Sequence, residues 1–247
     1  QMCIRDRFML EKFMAELIGT MILILLGDGV VANAVLKKNK GEGSGWIVIT
    51  TGWALAVAIP VFLFAKVSGA QFNPAVTIAL AVTGSLPWNE VLVYIGAQLI
   101  GAFIGAVLVF VSYYKHFEET EDKDSKLGTF CTIPAIRSKK WNFITEFIGT
   151  FILMFVIVGL GKVDMVNGIS PIAVGLLIWV IGLSLGGPTG YAINPARDLA
   201  PRFAHFILPI PNKRDSDWSY AWIPIIAPIL GGICGAIFYL LLFKLSL

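Results

Sequence analysis

The chain has 247 residues, of which 57% are hydrophobic and 14% charged, and its mean hydropathy is +0.79. A soluble domain with so few charged residues could not cover its surface, so the composition predicts an integral membrane protein. The small net charge of +3 favours no nucleic-acid partner, and three widely spaced cysteines without histidine neighbours, Cys3, Cys131 and Cys234, predict no disulfide framework, metal site or cofactor.

Six predominantly apolar stretches have the length that a helix needs to cross a bilayer. In chain order they run from Phe13 to Leu36, Trp46 to Ala65, Val91 to Tyr114, Trp141 to Leu160, Pro171 to Leu185 and Tyr220 to Phe243. Their continuous apolarity lacks the alternation of a β-barrel strand, so the predicted fold class is an all-α membrane protein. The fifth stretch is short, and we expect its helix to extend back to Asn167 or forward through Gly186.

Two glycine-rich stretches end in the same tripeptide, formed by Asn73, Pro74 and Ala75 and again by Asn194, Pro195 and Ala196. Asparagine is a favoured N-cap, proline is tolerated at the first helical position and alanine is the best helix former. The first helix can continue for about ten residues to Thr83-Gly84, which is roughly 15 Å and half of a ~30 Å hydrocarbon core. Both stretches therefore predict re-entrant half-helices that enter from opposite sides and meet near the membrane centre.

The two halves of the chain repeat each other. Ala15 to Thr20 recurs as Thr145 to Thr150, and Ala97 to Ala106 recurs at the same offset as Ala227 to Ala236. Each half has three crossings, an odd number, so the halves have opposite orientations in the membrane, as in many transport proteins. We predict one transmembrane domain over residues 1–247, with inverted repeats at about 8–114 and 141–247 and a solvated polar loop at 115–140 between them.

The two motif asparagines can cap the half-helices with their amide oxygens and still present two N–H donors each to a passing solute. Irregular backbone at membrane depth is tolerated only beside a water-filled path. The carbonyl groups expected to line that path belong to Gly69, Ala70, Gln71, Phe72, Thr189, Gly190, Tyr191 and Ala192. Each half-helix also carries roughly +0.5 charge at its N-terminus, which repels cations and favours neutral hydroxyl compounds.

Glu16 and Glu146 are carboxylates inside predicted spans, at equivalent positions of the two halves. An acid at membrane depth can relay protons, or it can accept hydrogen bonds from the backbone of a re-entrant loop and brace it. The symmetric placement favours the brace. The sequence contains no nucleophile paired with a base, no metal cluster and no phosphate loop, so nothing in it indicates an enzyme.

The inverted halves, the A/T-E-x-x-G-T starts and the paired Asn-Pro-Ala motifs closely resemble the aquaporin or major intrinsic protein family from Phe8 to Leu247. Within that family, four residues resemble the glycerol uptake facilitator branch: Asp198, Arg202, Pro224 and Ile225. Two residues depart from the pattern. Gln71 stands where most of the family has histidine, and Tyr191 stands where the best-known facilitators have phenylalanine.

The resemblance implies six transmembrane helices and two half-helices in a right-handed arrangement, with one pore per protomer. It also implies a homotetramer in the cell membrane with cytoplasmic termini, although a count of basic residues by the positive-inside rule favours the opposite orientation. Its selectivity filter would be formed by Trp53, Gly182, Tyr191 and Arg197. An arginine at membrane depth must face protein or water, which fits this role, and a glycine keeps the ring wide.

The leading interpretation is a passive channel for glycerol and other small neutral solutes, with some water permeation and without ions or protons. The two aromatic faces opposite an arginine suit a polyol, whose carbons can lie on the rings while its hydroxyls bind the guanidinium. Three alternatives stay open at this point. They are a water-selective channel, an ion-coupled secondary transporter that uses the buried glutamates, and a membrane junction protein that does not conduct.

Overall fold

The computed structural model describes residues 4–166 and 168–243, and every regular element in these ranges is a helix. Cys3 and Asn167 lie outside the described residues. In chain order the helices are α1 (Ile4–Val35), α2 (Trp46–Ser68), α3 (Pro74–Val82), α4 (Trp88–Ser112), α5 (Tyr114–Glu119), α6 (Lys123–Phe130), α7 (Lys139–Leu160), α8 (Ile169–Leu185), α9 (Pro195–Ile207) and α10 (Ile223–Leu242).

Five helices, α1, α2, α4, α7 and α10, are long and apolar enough to cross a membrane. The sixth predicted span is α8, whose 17 residues give a length of about 26 Å. It begins after Gly168, which has a left-handed backbone (φ 90°), and Gly186 is its C-cap residue. The helix therefore does not continue through Gly186, and the alternative extension to Asn167 falls outside the described residues.

The half-helices α3 and α9 have 9 and 13 residues, so each is too short to cross a ~30 Å hydrocarbon core. At the end of α3, Thr83 is the C-cap and Gly84 has φ 75°, which is the break that the sequence predicts. At the end of α9, Lys213 Nζ donates to the carbonyl oxygens of His205, Phe206 and Leu208 at 2.6–2.7 Å. This ammonium satisfies carbonyls that a helix C-terminus otherwise leaves unpaired.

The same close helix contact occurs once in each half. A Cβ atom at Gly101 of α4 would lie 2.1 Å from the carbonyl oxygen of Leu17 in α1. A Cβ atom at Gly231 of α10 would lie 2.3 Å from the carbonyl oxygen of Phe147 in α7. Only glycine lets two helix backbones approach so closely, so the repeat extends from the sequence to the packing.

The connection between the halves differs from the predicted solvated loop. Residues 115–140 contain α6 and most of α5, and three of their aromatic or aliphatic side chains, Phe117, Leu127 and Phe130, are fully buried. Phe117 and Phe130 stack with their ring centroids 5.6 Å apart. In the sequence these apolar residues are interspersed with charged ones. In the structure their burial packs the connection against the helix bundle.

Candidate functional site

The two motif asparagines cap the half-helices. Asn73 Oδ1 accepts a hydrogen bond from the backbone N–H of Ala75 at 2.9 Å. Asn194 Oδ1 accepts from the N–H groups of Ala196 at 3.0 Å and Arg197 at 3.2 Å. Both asparagines have extended backbone, and proline follows each at the first helical position. This is the local geometry that the tripeptide predicts.

The asparagine amides also join the two halves of the molecule. Asn73 Nδ2 donates to the carbonyl oxygen of Ile193, and Asn194 Nδ2 donates to that of Phe72, both at 2.8 Å. The sequence prediction left both N–H groups of each amide free. One N–H of each amide is used in this reciprocal pair, which leaves one donor per asparagine.

Four residues of the re-entrant loops that carry a Cβ atom have left-handed backbone: Ala70 and Phe72 at φ 50°, Tyr191 at φ 39° and Ile193 at φ 42°. Such conformations cost on the order of 1–3 kcal/mol each and persist where the surroundings enforce them. The loops therefore need external support.

Glu16 makes four contacts with the first loop and its neighbours. Its Oε1 accepts from Ser68 Oγ at 2.6 Å and from the N–H of Gln71 at 2.9 Å. Its Oε2 accepts from the N–H of Phe72 at 2.7 Å and from Gln98 Nε2 at 2.9 Å. These are the contacts that the bracing interpretation requires.

Glu146 repeats the arrangement on the second loop. Its Oε1 accepts from Thr189 Oγ1 at 2.6 Å and from the N–H of Ala192 at 2.9 Å, and its Oε2 accepts from the N–H of Ile193 at 2.9 Å. Both glutamates are buried. Every carboxylate oxygen of the pair has a donor, so neither group presents a free oxygen to the interior of the bundle.

Two cavities meet at three of the predicted filter residues. The first, of about 250 Å³, is bordered by both loops and both motif asparagines. The second, of about 330 Å³, is bordered by α1, α2 and α6 and reaches Asp122 and Asp124. Of the residues that the structure describes, only three border both cavities: Trp53, Tyr191 and Arg197.

The predicted carbonyl residues divide between these cavities. Gly190 borders the second cavity, and Thr189 borders neither. The others border the first cavity, and Tyr191 borders both: Gly69, Ala70, Gln71, Phe72, Tyr191 and Ala192. The Oε1 atom of Gln71 is buried and has no hydrogen-bond partner among the described residues.

The guanidinium of Arg197 is held on two sides. Its Nη1 donates to the carbonyl oxygen of Phe130 at 3.1 Å and to Asp28 Oδ1 at 3.2 Å. The guanidinium carbon, Cζ, lies 4.2 Å from the centroid of the Trp53 ring, in cation–π geometry. Among the described residues no acceptor contacts Nε or Nη2 of Arg197.

Gly182 lies behind the ring and borders neither cavity. A Cβ atom there would be 2.9 Å from Cζ of Tyr191 and 3.0 Å from Cγ2 of Thr50. Trp46 packs edge-on against Tyr191 with centroids 5.8 Å apart, and its Nε1 donates to the Gly182 carbonyl at 3.0 Å. The Tyr191 ring therefore occupies the space that a side chain at Gly182 would need, and this space is not open to the cavities.

The four residues predicted to mark the facilitator branch lie outside both cavities. Asp198 and Arg202 form a fully buried ion pair, with Arg202 Nε 2.8 Å from Asp198 Oδ1. Asp198 also accepts from the N–H and the hydroxyl of Thr132, at 2.8 and 2.6 Å. Pro224 and Ile225 lie in the first turn of α10.

Several residues of this region were absent from the sequence prediction: Asp28, Trp46, Phe130 and Ile193. Asp28 carried a usable signal, because an acid inside an apolar span is expected to have a function or a partner. The other three act through a backbone carbonyl or ring packing, which no residue pattern reveals. Among the described residues no group of three or more His, Cys, Asp or Glu side chains could hold a metal ion.

Comparisons with known proteins agree on one family. The sequence profile of the family described as major intrinsic protein matches residues 4–239. A probable glycerol uptake facilitator protein of Thermotoga maritima is 61% identical over 234 residues, which cover 95% of this chain and 100% of that protein. A glycerol uptake facilitator protein of Streptococcus pneumoniae is 55% identical over 223 residues, 90% of this chain and 95% of that protein. The X-ray structure of the aquaglyceroporin from Plasmodium falciparum superposes with a TM-score of 0.84 at 32% identity, over 94% of this chain and 95% of that one.

Proposed function

The chain belongs to the major intrinsic protein family, and from this premise we propose that it is a passive transmembrane channel for glycerol and other small neutral solutes. Water permeates to some extent, and ions and protons are excluded. Members of the family are channels and not enzymes. The matched relatives are named as glycerol facilitators, which favours glycerol over a water-selective role.

One observation carries the proposal: two capped half-helices meet beside a cavity that shares the lining residues Trp53, Tyr191 and Arg197 with a second cavity. Along this route a solute hydroxyl finds the remaining N–H of each motif asparagine and the Nε and Nη2 groups of Arg197. It finds acceptors in the loop carbonyls. Hydrogen bonds of both kinds replace those that a polyol leaves behind in water.

Ion exclusion follows from the same elements. The N-termini of α3 and α9 each carry a partial positive charge of roughly +0.5, and both point towards the motif asparagines. Cations and hydronium are repelled there, while a neutral solute is not. At the ring, the apolar faces of Trp53 and Tyr191 contact the carbon chain of a polyol, and Gly182 acts indirectly by giving the Tyr191 ring its position.

The glutamates favour a channel over an ion-coupled transporter. A coupling carboxylate must exchange its proton with the transport path. Each oxygen of Glu16 and Glu146 already accepts a hydrogen bond from a loop or its support. Their role in the proposal is to brace the loops that carry the solute path.

The assembly in the membrane is proposed on the family resemblance. The chain is a multi-pass membrane protein that forms a homotetramer with one pore per protomer, in contact with lipid and without a nucleic-acid partner. Its termini are cytoplasmic. Native mass spectrometry in detergent tests the tetramer, and protease protection of N- and C-terminal epitope tags in spheroplasts tests the orientation.

Stopped-flow light scattering on reconstituted vesicles tests the function. Purified protein is placed in lipid vesicles, and the rates for glycerol, urea and water are compared with those of protein-free vesicles. We expect glycerol to equilibrate down its gradient at a rate that does not depend on a pH or sodium gradient. Accumulation of glycerol that a protonophore abolishes would establish the transporter instead, and faster water flux without faster glycerol flux would establish a water channel.

A further inference from the structure

Asp28 stands behind the ring formed by Trp53, Tyr191 and Arg197. It lies in α1, it is fully buried, and its Oδ1 is 3.2 Å from Nη1 of Arg197. The preceding residue, Gly27, lies directly against the Trp53 ring, because a Cβ atom there would be 2.3 Å from its Cζ3. This turn of α1 therefore supports both the tryptophan and the arginine.

The contact differs from an ordinary structural ion pair. The neighbouring buried pair, Asp198 with Arg202, has donors on both carboxylate oxygens: the N–H and hydroxyl of Thr132 and the Nε and Nη2 of Arg202. Asp28 has one hydrogen-bond donor, Arg197, and its Oδ2 is buried without a partner among the described residues. Because the Asp28 carboxylate has no other hydrogen-bond donor among the described residues, we interpret it as a specific partner of Arg197.

Two consequences follow for the guanidinium. Together with the Phe130 carbonyl, Asp28 uses the two N–H groups of Nη1, so that Nε and Nη2 are the donors that remain. A carboxylate 3.2 Å away also offsets the positive charge of a side chain that is only 8% exposed. An unpaired buried charge is costly, and a paired one is much less so.

We propose that Asp28 is a positioning residue for the selectivity ring: it fixes the direction of the Arg197 donors and cancels the net charge of the ring. The proposal rests on the proposed function, because it takes Arg197 as the residue that selects the solute. The ring then discriminates neutral polyols by hydrogen-bond geometry rather than by a net positive potential.

The test compares Asp28→Asn, Arg197→Gln and the double variant in reconstituted vesicles, with glycerol and water permeability as the readout. Asparagine keeps the shape of Asp28 and removes its charge. We expect Asp28→Asn to lower the ratio of glycerol to water permeability at least about threefold, because the neutral amide oxygen of asparagine holds Nη1 of Arg197 more weakly than the carboxylate does and the remaining donors lose their fixed direction. In the Arg197→Gln background the same substitution should leave the ratio unchanged within about 1.5-fold, since residues that act as a unit are not additive.

Asp198→Asn is the matched control. It breaks an even more deeply buried ion pair that borders neither cavity, so thermal stability should fall while the permeability ratio stays within about 1.5-fold of wild type. If Asp28→Asn does not fold, the double variant removes both charges and should recover folded yield, and failure of that recovery contradicts the pairing.

The outcomes separate the two proposals. If Arg197→Gln changes the ratio but folded Asp28→Asn does not, Asp28 is not a positioning residue and the inference is wrong. If Arg197→Gln itself leaves the ratio unchanged, the assignment of Arg197 to the selectivity ring is wrong. An equal effect of Asp28→Asn with and without Arg197 shows that the carboxylate acts by another route and also overturns the inference.

Discussion

At the scale of single residues, Gly182 gives the Tyr191 ring its position without bordering either cavity. The Tyr191 ring fills its space and is fixed there by Trp46. Tyr191 is thus held by a glycine on one side and an aromatic edge on the other. Any side chain at residue 182 must move the tyrosine.

We expect Gly182→His to reduce glycerol flux at least about tenfold, a barrier increase of ~1.4 kcal/mol, with a smaller loss of water flux. The imidazole would displace the Tyr191 ring towards Arg197 and narrow the ring for carbon. Stopped-flow measurement on vesicles with equal amounts of folded variant and wild type checks this. If the folded variant conducts glycerol as fast as wild type does, Gly182 and Tyr191 do not form the constriction.

Trp53→Ala should act in the opposite sense. The substitution removes an apolar wall of the ring. It also removes the cation–π partner of Arg197, whose Cζ lies 4.2 Å from the centroid of the Trp53 ring. We expect the ring to widen and selectivity among glycerol, urea and larger polyols to relax by several-fold rather than the flux to stop. Relative rates for a series of polyols of increasing length give the measurement, and an unchanged series would show that the indole does not contact the solute.

At the scale of elements, two carboxylates accept the backbone hydrogen bonds of the re-entrant loops that a helix or sheet would otherwise supply. Glu16→Gln or Glu146→Gln converts an acceptor-only oxygen into an amide donor that faces backbone N–H groups. Each charge-assisted hydrogen bond lost costs roughly 1–3 kcal/mol. We expect both variants to lose folded yield or thermal stability, measured by fluorescence-detected size exclusion during heating, while the pH dependence of flux stays as in wild type.

The contrary result for the glutamates is equally definite. If both variants are as stable as wild type and transport loses a titration, the carboxylates carry protons. The matched comparison lies within the chain, because the two residues occupy equivalent positions. If each glutamate braces the loop of its own half, both substitutions should cause similar losses of stability. A proton relay does not predict equal effects for the two substitutions.

Helix α6 links the surface to the ring, because the Phe130 carbonyl at its last residue holds Arg197. Its N-cap is Asp122, whose pKa is lowered by the hydrogen bond from Ser125 Oγ and by the backbone N–H groups of Asp124 and Ser125. A carboxyl group with a lowered folded-state pKa stabilises the fold above its unfolded value of about 3.9, and this contribution disappears as the pH falls through the folded value.

We therefore expect Asp122→Ala to destabilise α6 by about 1 kcal/mol at neutral pH, and we expect this loss to shrink as the pH falls through the lowered pKa of the wild-type carboxyl. Thermal unfolding in detergent at several pH values measures this difference. Asp122→Asn is the control, because an asparagine cap does not titrate. A loss of stability that persists unchanged in acid would show that the substitution acts by another route than the carboxylate cap.

At the scale of the whole molecule, the sequence predicted the spans, the half-helices and the repeat because each depends on local patterns: apolar length, a capping tripeptide and a constant offset. Contacts between distant residues were beyond such patterns. The pairing of Asp28 with Arg197, and the hydrogen bonds from each asparagine to the opposite loop, join residues from opposite halves of the chain. They exist only once both halves are folded.

The repeat also predicts that the halves depend on equivalent close contacts between helices. We expect Gly101→Ala and Gly231→Ala each to destabilise the protein by roughly 1–3 kcal/mol, because the new methyl group meets a carbonyl oxygen at 2.1 and 2.3 Å. Gly96→Ala is the control on α4, since apart from the adjacent backbone of α4 itself no atom of the described residues lies within 4 Å of a Cβ there. It should be neutral or stabilising by up to about 1 kcal/mol, because alanine favours the helix. Thermal unfolding of the three variants in one detergent decides: if Gly101→Ala and Gly231→Ala are as stable as Gly96→Ala, close glycine packing does not hold either half together.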